Sequence, residues 1–410
     1  MINIERVISI ALGIVFAAVT ARADLFTSTT APPQSVIVDP LSFAVLGQNA
    51  TFRQNVSSEL FNPTNTSPPF FQIFHPDFLT ILGKSPSIRS IASIPNFAFA
   101  HEAPIWIPDT DEVTFASDTG GFGPALAMAD INHNNRVSKI SLKEVAGAIK
   151  NSSGVVPVNV TVTKLDLPDT VQMTNGGTGP VHGNLLLVGF GRGSRPSAVT
   201  LSNPNPPFNT TVLLDNFFGR QFNSINDVKI HPTSKKIFFT DPEYGFINHI
   251  RSAPLLPFQV YRFDPDTGVV RVVADGFGQP NGLAFTQDGK TAYIADSGAL
   301  ALDSNQTRPA TIYAFDVDPK TQAFKNRRVF AYIDTGFPDG IQLDSKGNVY
   351  SGTGDGVQVW NSEGTLLGKF FTGTITANMV FAGKGRLIIL SVTEIFFAEI
   401  AAEGQNLAIP

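Results

Sequence analysis

Residues 281–294 read NGLAFTQDGKTAYI, and this stretch contains the unit from which the fold is built. A polar residue opens it, a short apolar strand follows, Asp288-Gly289 forms a turn, and a second β-rich strand ends it. Asp-Gly pairs favour tight hairpins because glycine accepts positive φ. The stretch therefore predicts two adjacent antiparallel strands that begin at Asn281.

The same unit recurs along the chain. Three close copies and two looser ones are found at residues 226–239, 339–350, 378–388, 102–115 and 175–187. The six opening residues lie roughly 40 to 75 residues apart, about the length of one four-stranded blade. We therefore predict an all-β fold, a six-bladed β-propeller over residues 95–410.

The composition agrees with a turn-rich β protein. Hydrophobic residues make up 42% of the chain and charged residues only 15%, and there are 35 Gly and 29 Pro. The formal net charge is −5 and no Lys/Arg cluster is present, which argues against a nucleic-acid partner. We find no Gly-x-Ser-x-Gly elbow, P-loop or dinucleotide-binding motif. The sequence leaves the oligomeric state open.

The N-terminal region predicts export. Residues 1–23 are typical of a signal peptide: Arg6, an apolar run over 7–19, and a small-x-small cleavage pattern at 21–23. We expect a secreted, extracellular and N-glycosylated protein with no membrane contact after cleavage. Seven sequons support this expectation, at Asn49, Asn55, Asn65, Asn151, Asn159, Asn209 and Asn305. The chain has no Cys, so no disulfide braces it. Residues 24–94 are predicted to pack on the propeller and to close its ring.

The six opening residues are candidates for a metal site. In a propeller the innermost strand of each blade follows the central channel, so their side chains should converge there. They are two carboxylates and four carboxamides: Glu102, Asn175, Asn226, Asn281, Asp339 and Asn378. Oxygen donors of this kind favour Ca²⁺, or another divalent cation, whereas zinc prefers His and Cys. The alternative is that these residues only begin strands and satisfy local backbone groups.

Several motifs resemble the gluconolactonase, regucalcin (senescence marker protein) and lactonohydrolase family. In order they are HEAPIW at 101–106, FTDPEYG at 239–245, PNGLAF at 280–285 and PDG at 338–340. The stretch NGGT at 175–178 is similar to the secreted fungal members. The resemblance covers roughly residues 95–395. It implies a calcium-dependent lactonase that opens a sugar-type or other small lactone to a hydroxy acid.

The resemblance also implies site residues. It implies that the metal is held by Glu102, Asn281 and Asp339. It also implies that Asn226 lies at the metal or on the substrate. Asp227 is a weaker candidate ligand. Asn175 and Asn378, in the two remaining positions of the ring, are predicted to contact the substrate.

The predicted mechanism places the lactone carbonyl on the ion, whose charge stabilises the oxyanion. Asp339 is our candidate to accept a proton from the attacking water. His101 and His182 are rival bases, because histidine titrates near neutral pH. Arg192 and Arg195 would hold an anionic product, or lie in a solvated loop.

Three alternatives stay open at this point. The same metal would serve a paraoxonase-like arylesterase, and a biosynthetic enzyme of strictosidine synthase type would use the channel without Ca²⁺. A calcium-stiffened propeller that only binds a ligand is the third. The long insertion after the first copy and the Phe-rich N-terminal segment leave the substrate undefined.

Overall fold

The computed structural model describes Phe26 and residues 30–56, 59–123 and 125–407. Within these residues the strands form six sheets, five of four strands and one of six. The six-bladed β-propeller predicted from the repeat is therefore confirmed. The predicted signal peptide lies outside the described residues. In the described part of the chain, no helix is long and apolar enough to cross a membrane.

Three strands precede the first full blade: β1 (Ser35–Ile37), β2 (Phe70–Ile73) and β3 (Ser87–Ser93). The helical elements are short: a 3₁₀ turn at Pro40–Phe43, α1 (Phe78–Leu82), α2 (Leu142–Lys150) and α3 (Tyr244–Ile247).

Each blade is built around four strands that pair antiparallel, except that three such strands of blade 6 are consecutive and its fourth comes from the N-terminal segment; the first strand of each blade is the innermost. Blade 1 contains β4 (Glu102–Ile107), β5 (Glu112–Ala116), β6 (Val137–Ser141) and β7 (Thr163–Lys164). Blade 2 contains β8 (Thr174–Val181), β9 (Asn184–Gly189), β10 (Ala198–Ser202) and β11 (Thr210–Leu214). Blade 3 contains β12 (Val228–Ile230), β13 (Ile237–Asp241), β14 (Gln259–Phe263) and β15 (Val270–Ala274).

The second half of the ring follows the same order. Blade 4 contains β16 (Pro280–Phe285), β17 (Thr291–Asp296), β18 (Thr311–Val317) and β19 (Phe324–Tyr332). Blade 5 contains β20 (Ile341–Leu343), β21 (Val349–Thr353), β22 (Gly356–Trp360) and β23 (Leu366–Phe371). Blade 6 contains β24 (Asn378–Phe381), β25 (Arg386–Ser391) and β26 (Glu394–Glu399).

The innermost strands form a closed ring. Each contacts the next in the order β4, β8, β12, β16, β20 and β24, and β24 contacts β4 again. The six predicted opening residues lie in these strands or within two residues of their first position. All six side chains are buried. The repeat therefore brings two carboxylates and four carboxamides to the centre of the ring.

Glycine allows neighbouring inner strands to approach closely. A Cβ on Gly176 would lie 2.4 Å from the backbone oxygen of Asn226, and one on Gly282 would lie 2.2 Å from that of Asp339. No side chain fits into these gaps. The glycine that follows Asn175 and Asn281 is thus a packing requirement of the ring.

The N-terminal segment supplies strands to two blades. β3 pairs antiparallel with β26 and becomes the fourth strand of blade 6. β2 pairs antiparallel with β23 and β1 pairs parallel with β2, which extends blade 5 to six strands. Phe71 and Phe78 pack in the core that blades 5 and 6 share. Pairing β3 with β26 covers a sheet edge that would otherwise be open to other chains.

The same segment contacts two loops at one end of the channel. Arg53 donates to the Asp334 carboxylate at 3.2 Å and to the Thr335 hydroxyl at 3.1 Å. The backbone N–H of Val56 donates to Oε1 of Gln306 at 2.9 Å. The segment therefore fixes the loops that precede β18 and β20.

Candidate active site

A cavity of about 330 Å³ lies where the inner strands begin. Five of the six opening residues line it: Glu102, Asn175, Asn226, Asn281 and Asp339. A second cavity of about 440 Å³ lies where the inner strands end, and its described lining contains no carboxylate. The chemistry therefore belongs to the first cavity, whose floor these five side chains form.

Two carboxylates and an imidazole meet at the floor. The ligand atoms of His101, Glu102 and Asp339 all lie within 4.8 Å of one another. Burial raises the pKa of Glu102 well above its usual range, and the nearby Asp339 carboxylate raises it further. Burial also raises the pKa of Asp339. Because both carboxyls resist ionisation at this buried floor, a cation between them would be strongly stabilising.

Unpaired buried atoms support a cation at this floor. Oδ1 of Asn226 and Nδ1 of His101 are buried and have no hydrogen-bond partner, although buried polar atoms are nearly always paired. Oδ1 of Asn226 would complete a set of oxygen donors with the two carboxylates. Oxygen donors of this kind are the ligands that Ca²⁺ takes in proteins. The residues present therefore fit a bound divalent cation.

Neighbouring groups orient the other amides of the floor. Nδ2 of Asn281 donates to the Tyr244 hydroxyl at 3.4 Å and to the Ser297 hydroxyl at 3.2 Å. Nδ2 of Asn175 donates to the backbone oxygen of Asn226 at 3.1 Å. These bonds hold both amides in place at the cavity.

Asn378 lies behind the floor. Its Nδ2 donates to Oε2 of Glu102 at 2.8 Å, and its Oδ1 accepts the N–H of Met379 at 2.9 Å. It does not line the cavity. From this position Asn378 orients Glu102.

Asp227, the weaker candidate ligand, forms an ion pair with Lys229. Its oxygens lie 3.1 and 3.2 Å from Nζ of Lys229, and Oδ2 accepts the N–H of Leu283 at 2.8 Å. Asp227 and Lys229 are both buried. The lysine therefore balances this carboxylate without a metal.

Sequence reasoning did not single out Asp118 or Tyr244. Nδ1 of His101 faces Oδ1 of Asp118 at 4.0 Å, and Phe122 packs edge-on against the imidazole. Oδ2 of Asp118 accepts the backbone N–H of Gly120 at 2.8 Å, which fixes the carboxylate. Tyr244 lies in the FTDPEYG motif, so the family resemblance could have indicated it as a site residue. No local pattern points to Asp118, which follows β5 in an irregular loop.

Other predicted residues lie outside the cavity lining. Arg192 donates to Oε1 of Gln172 at 2.7 Å and to the backbone oxygen of Ile131 at 3.0 Å. Arg195 pairs with Asp169. His182 lies in the hairpin between β8 and β9. The structure does not bring these three side chains to the floor.

Comparisons with known proteins identify relatives in sequence and in fold. The family model described as the SMP-30/Gluconolactonase/LRE-like region matches residues 102–393. Lactonohydrolase oryL of Aspergillus oryzae is 31% identical over 381 residues, which cover 86% of this chain and 82% of the relative. The gluconolactonase of Zymomonas mobilis is 28% identical over 192 residues, 45% of this chain and 52% of the relative. A solved gluconolactonase from Xanthomonas campestris superposes with a TM-score of 0.62 at 26% identity, covering 80% of this chain and 93% of its own.

Proposed function

Because this chain belongs to the SMP-30/Gluconolactonase/LRE-like family, we propose that it hydrolyses lactones to hydroxy acids with Ca²⁺ at the centre of the propeller. It is a hydrolase of carboxylic ester bonds, the class to which lactonohydrolases and gluconolactonases belong. One observation carries the calcium proposal. Glu102, Asp339 and the unpaired Oδ1 of Asn226 meet at the floor of a single cavity.

Glu102, Asn226, Asn281 and Asp339 would hold the ion. Bound there, Ca²⁺ supplies polarisation of the ester carbonyl. Asn378 holds the Glu102 carboxylate in position. Asn175 lies on the same floor, where its amide would contact the substrate beside Asn226.

Hydrolysis also needs a group that moves protons. One proton leaves the water as its oxygen bonds to the carbonyl carbon, and one reaches the ring oxygen as the ring C–O bond breaks. We assign both transfers to Asp339, whose carboxyl group lines the floor of the cavity. His101 is the second candidate, because its imidazole lies beside Glu102 and Asp339 and its Nδ1 has no hydrogen-bond partner.

We propose further that the protein is exported and N-glycosylated. The asparagines of six sequons are exposed in the structure, as glycosylation requires: Asn49, Asn55, Asn65, Asn151, Asn159 and Asn209. Mass spectrometry of the secreted protein, before and after removal of N-glycans, tests this.

The calcium proposal is tested by acid release from a panel of γ- and δ-lactones. We expect EDTA to lower the turnover of the purified protein at least about 100-fold, and added Ca²⁺ to restore it. EDTA-insensitive hydrolysis would contradict the metal and would favour a metal-free propeller enzyme. If the Ca²⁺-loaded protein opened no lactone, it would be a binding propeller instead.

A matched pair of variants tests the assignment of Asp339. Asp339→Asn should lower kcat at least about 100-fold, the size expected for loss of a proton-transfer group. Asp266→Asn, whose side chain is 80% exposed, should retain wild-type turnover. Comparable activity in Asp339→Asn and wild type would remove Asp339 from the mechanism.

A further inference from the structure

The wall above the polar floor is apolar. Six apolar side chains line it, and we call them the apolar collar: Phe122, Phe190, Ile247, Leu300, Phe337 and Ile375. One lies between the second and third strands of each of blades 1 to 4, and the last two lie in the links that lead into blades 5 and 6. The whole circumference of the cavity therefore offers hydrocarbon to a bound molecule.

Most hydrogen-bonding groups beside the collar already have partners in the protein. The polar side chains that line the cavity there are Asp118, Thr119, Tyr244, Asn248 and Ser304. Asp118 accepts the backbone N–H of Gly120, and the Tyr244 hydroxyl accepts from Nδ2 of Asn281. Nδ2 of Asn248 lies 3.4 Å from the backbone oxygen and from the hydroxyl of Thr119. The remaining polar lining belongs to the floor, where the proposed reaction occurs.

This division of polar and apolar surface selects among lactones. A sugar lactone carries a hydroxyl on most ring carbons, and each hydroxyl that is buried without a partner lowers affinity roughly tenfold. An alkyl or aryl group would instead gain from leaving water. Resting on the proposed lactonase function, we propose that the substrate is a lactone whose ring bears an aliphatic or aromatic substituent. The ester group lies on the floor, and the substituent contacts the apolar collar.

Three lactones with the same six-membered ring test the proposal: δ-valerolactone, its 5-pentyl derivative and glucono-δ-lactone. We measure kcat/KM with the Ca²⁺-loaded protein and divide each value by the rate of hydroxide-catalysed opening, which removes differences in ring reactivity. We expect the pentyl lactone to be preferred over δ-valerolactone, by about threefold to fourfold for each methylene that is buried. Glucono-δ-lactone should be the poorest of the three.

Leu300 and Leu302 provide a matched pair in one loop. Leu300 lines the cavity and is 37% exposed, whereas Leu302 is 64% exposed and does not line it. Leu300→Ser should lower the ratio of pentyl-lactone to δ-valerolactone kcat/KM about tenfold. Leu302→Ser should keep the wild-type ratio. Ile375→Ser, two positions further around the collar, should act as Leu300→Ser does.

The outcomes separate this inference from the proposed function. Preference for glucono-δ-lactone, or equal corrected rates on all three substrates, would overturn the substrate class and leave the lactonase activity intact. If Leu300→Ser and Ile375→Ser both kept the wild-type ratio of pentyl-lactone to δ-valerolactone kcat/KM, the collar would not determine the choice of substrate. If no lactone were opened by the Ca²⁺-loaded wild type, the proposed function itself would fail.

Discussion

Asp241 shows how a buried carboxylate can serve structure in this propeller. It is fully buried at the end of β13, and its two oxygens accept the backbone N–H groups of Asn223 and Ser224 at 3.0 and 2.8 Å. Burial raises its pKa to about 7. Asp241 therefore fixes the turn that leads to Asn226 at the floor.

The raised pKa of Asp241 predicts a pH dependence of stability. Between about pH 4 and pH 7 the folded protein keeps a proton that the unfolded chain has lost, so the free energy of unfolding falls as pH rises. The fall from this one group is at most about 4 kcal/mol, and its contribution is constant above pH 7. Urea unfolding in saturating Ca²⁺ at pH 4.5 and 7.5 measures it.

Substitution isolates the contribution of Asp241. Asp241→Asn should be less stable than wild type at both pH values, because the amide has one acceptor oxygen where the carboxyl has two. At pH 4.5 the loss in the free energy of unfolding should be about 1–3 kcal/mol. The variant should also show a smaller difference between the two pH values than wild type. Asp266→Asn, on the surface, should reproduce the wild-type difference. Equal pH differences in wild type and Asp241→Asn would mean that Asp241 is ionised throughout this range.

At the scale of the strand, Gly282 sets the spacing of β16 and β20. A Cβ at this position would lie 2.2 Å from the backbone oxygen of Asp339. The two strands would have to separate, and the separation would move Asn281 away from Asp339. We expect Gly282→Ala to lower Ca²⁺ affinity and to destabilise the fold by about 1–3 kcal/mol.

Gly147 in α2 is the matched control for Gly282. A Cβ there meets no atom within 4 Å and its φ is ordinary, so Gly147→Ala should be neutral or stabilise by up to about 1 kcal/mol. Calcium titration and urea unfolding of both variants measure the effects. Wild-type Ca²⁺ affinity in Gly282→Ala would show that the spacing of these strands does not position the site.

The strands also show what the sequence could predict. The opening residue, the Gly turn and the paired strands are local, so the copy at 281–294 was enough to locate the inner strands. The apolar collar was not predictable, because its residues lie outside the strands, five in loops and Ile247 in α3, and share no spacing. The position of Asn378 behind Glu102 depends on how β24 packs against β4, which a repeat pattern does not specify.

At the scale of the whole molecule, no covalent bond closes the ring. The chain has no Cys, and blade 6 is completed only by the hydrogen bonds and packing of β3 against β26. Glu102 in blade 1 and Asp339 at the entry to blade 5 lie on either side of blade 6. An ion that binds both would join the two neighbours of the blade where the chain closes.

Calcium should therefore raise the melting temperature of the entire propeller. A ligand that binds only the folded state stabilises it by about 2.7 kcal/mol at a concentration 100 times its Kd, so we expect Tm to rise by several degrees and to depend on Ca²⁺ concentration. Glu102→Gln should lose most of this dependence, because it removes a charge that the ion neutralises. Glu112→Gln, which removes a carboxylate paired with Lys139 in the same blade, should retain it. Calorimetry of the three proteins in EDTA and across a Ca²⁺ series decides the matter: if the Tm of wild type does not respond to Ca²⁺, the ion does not join these blades.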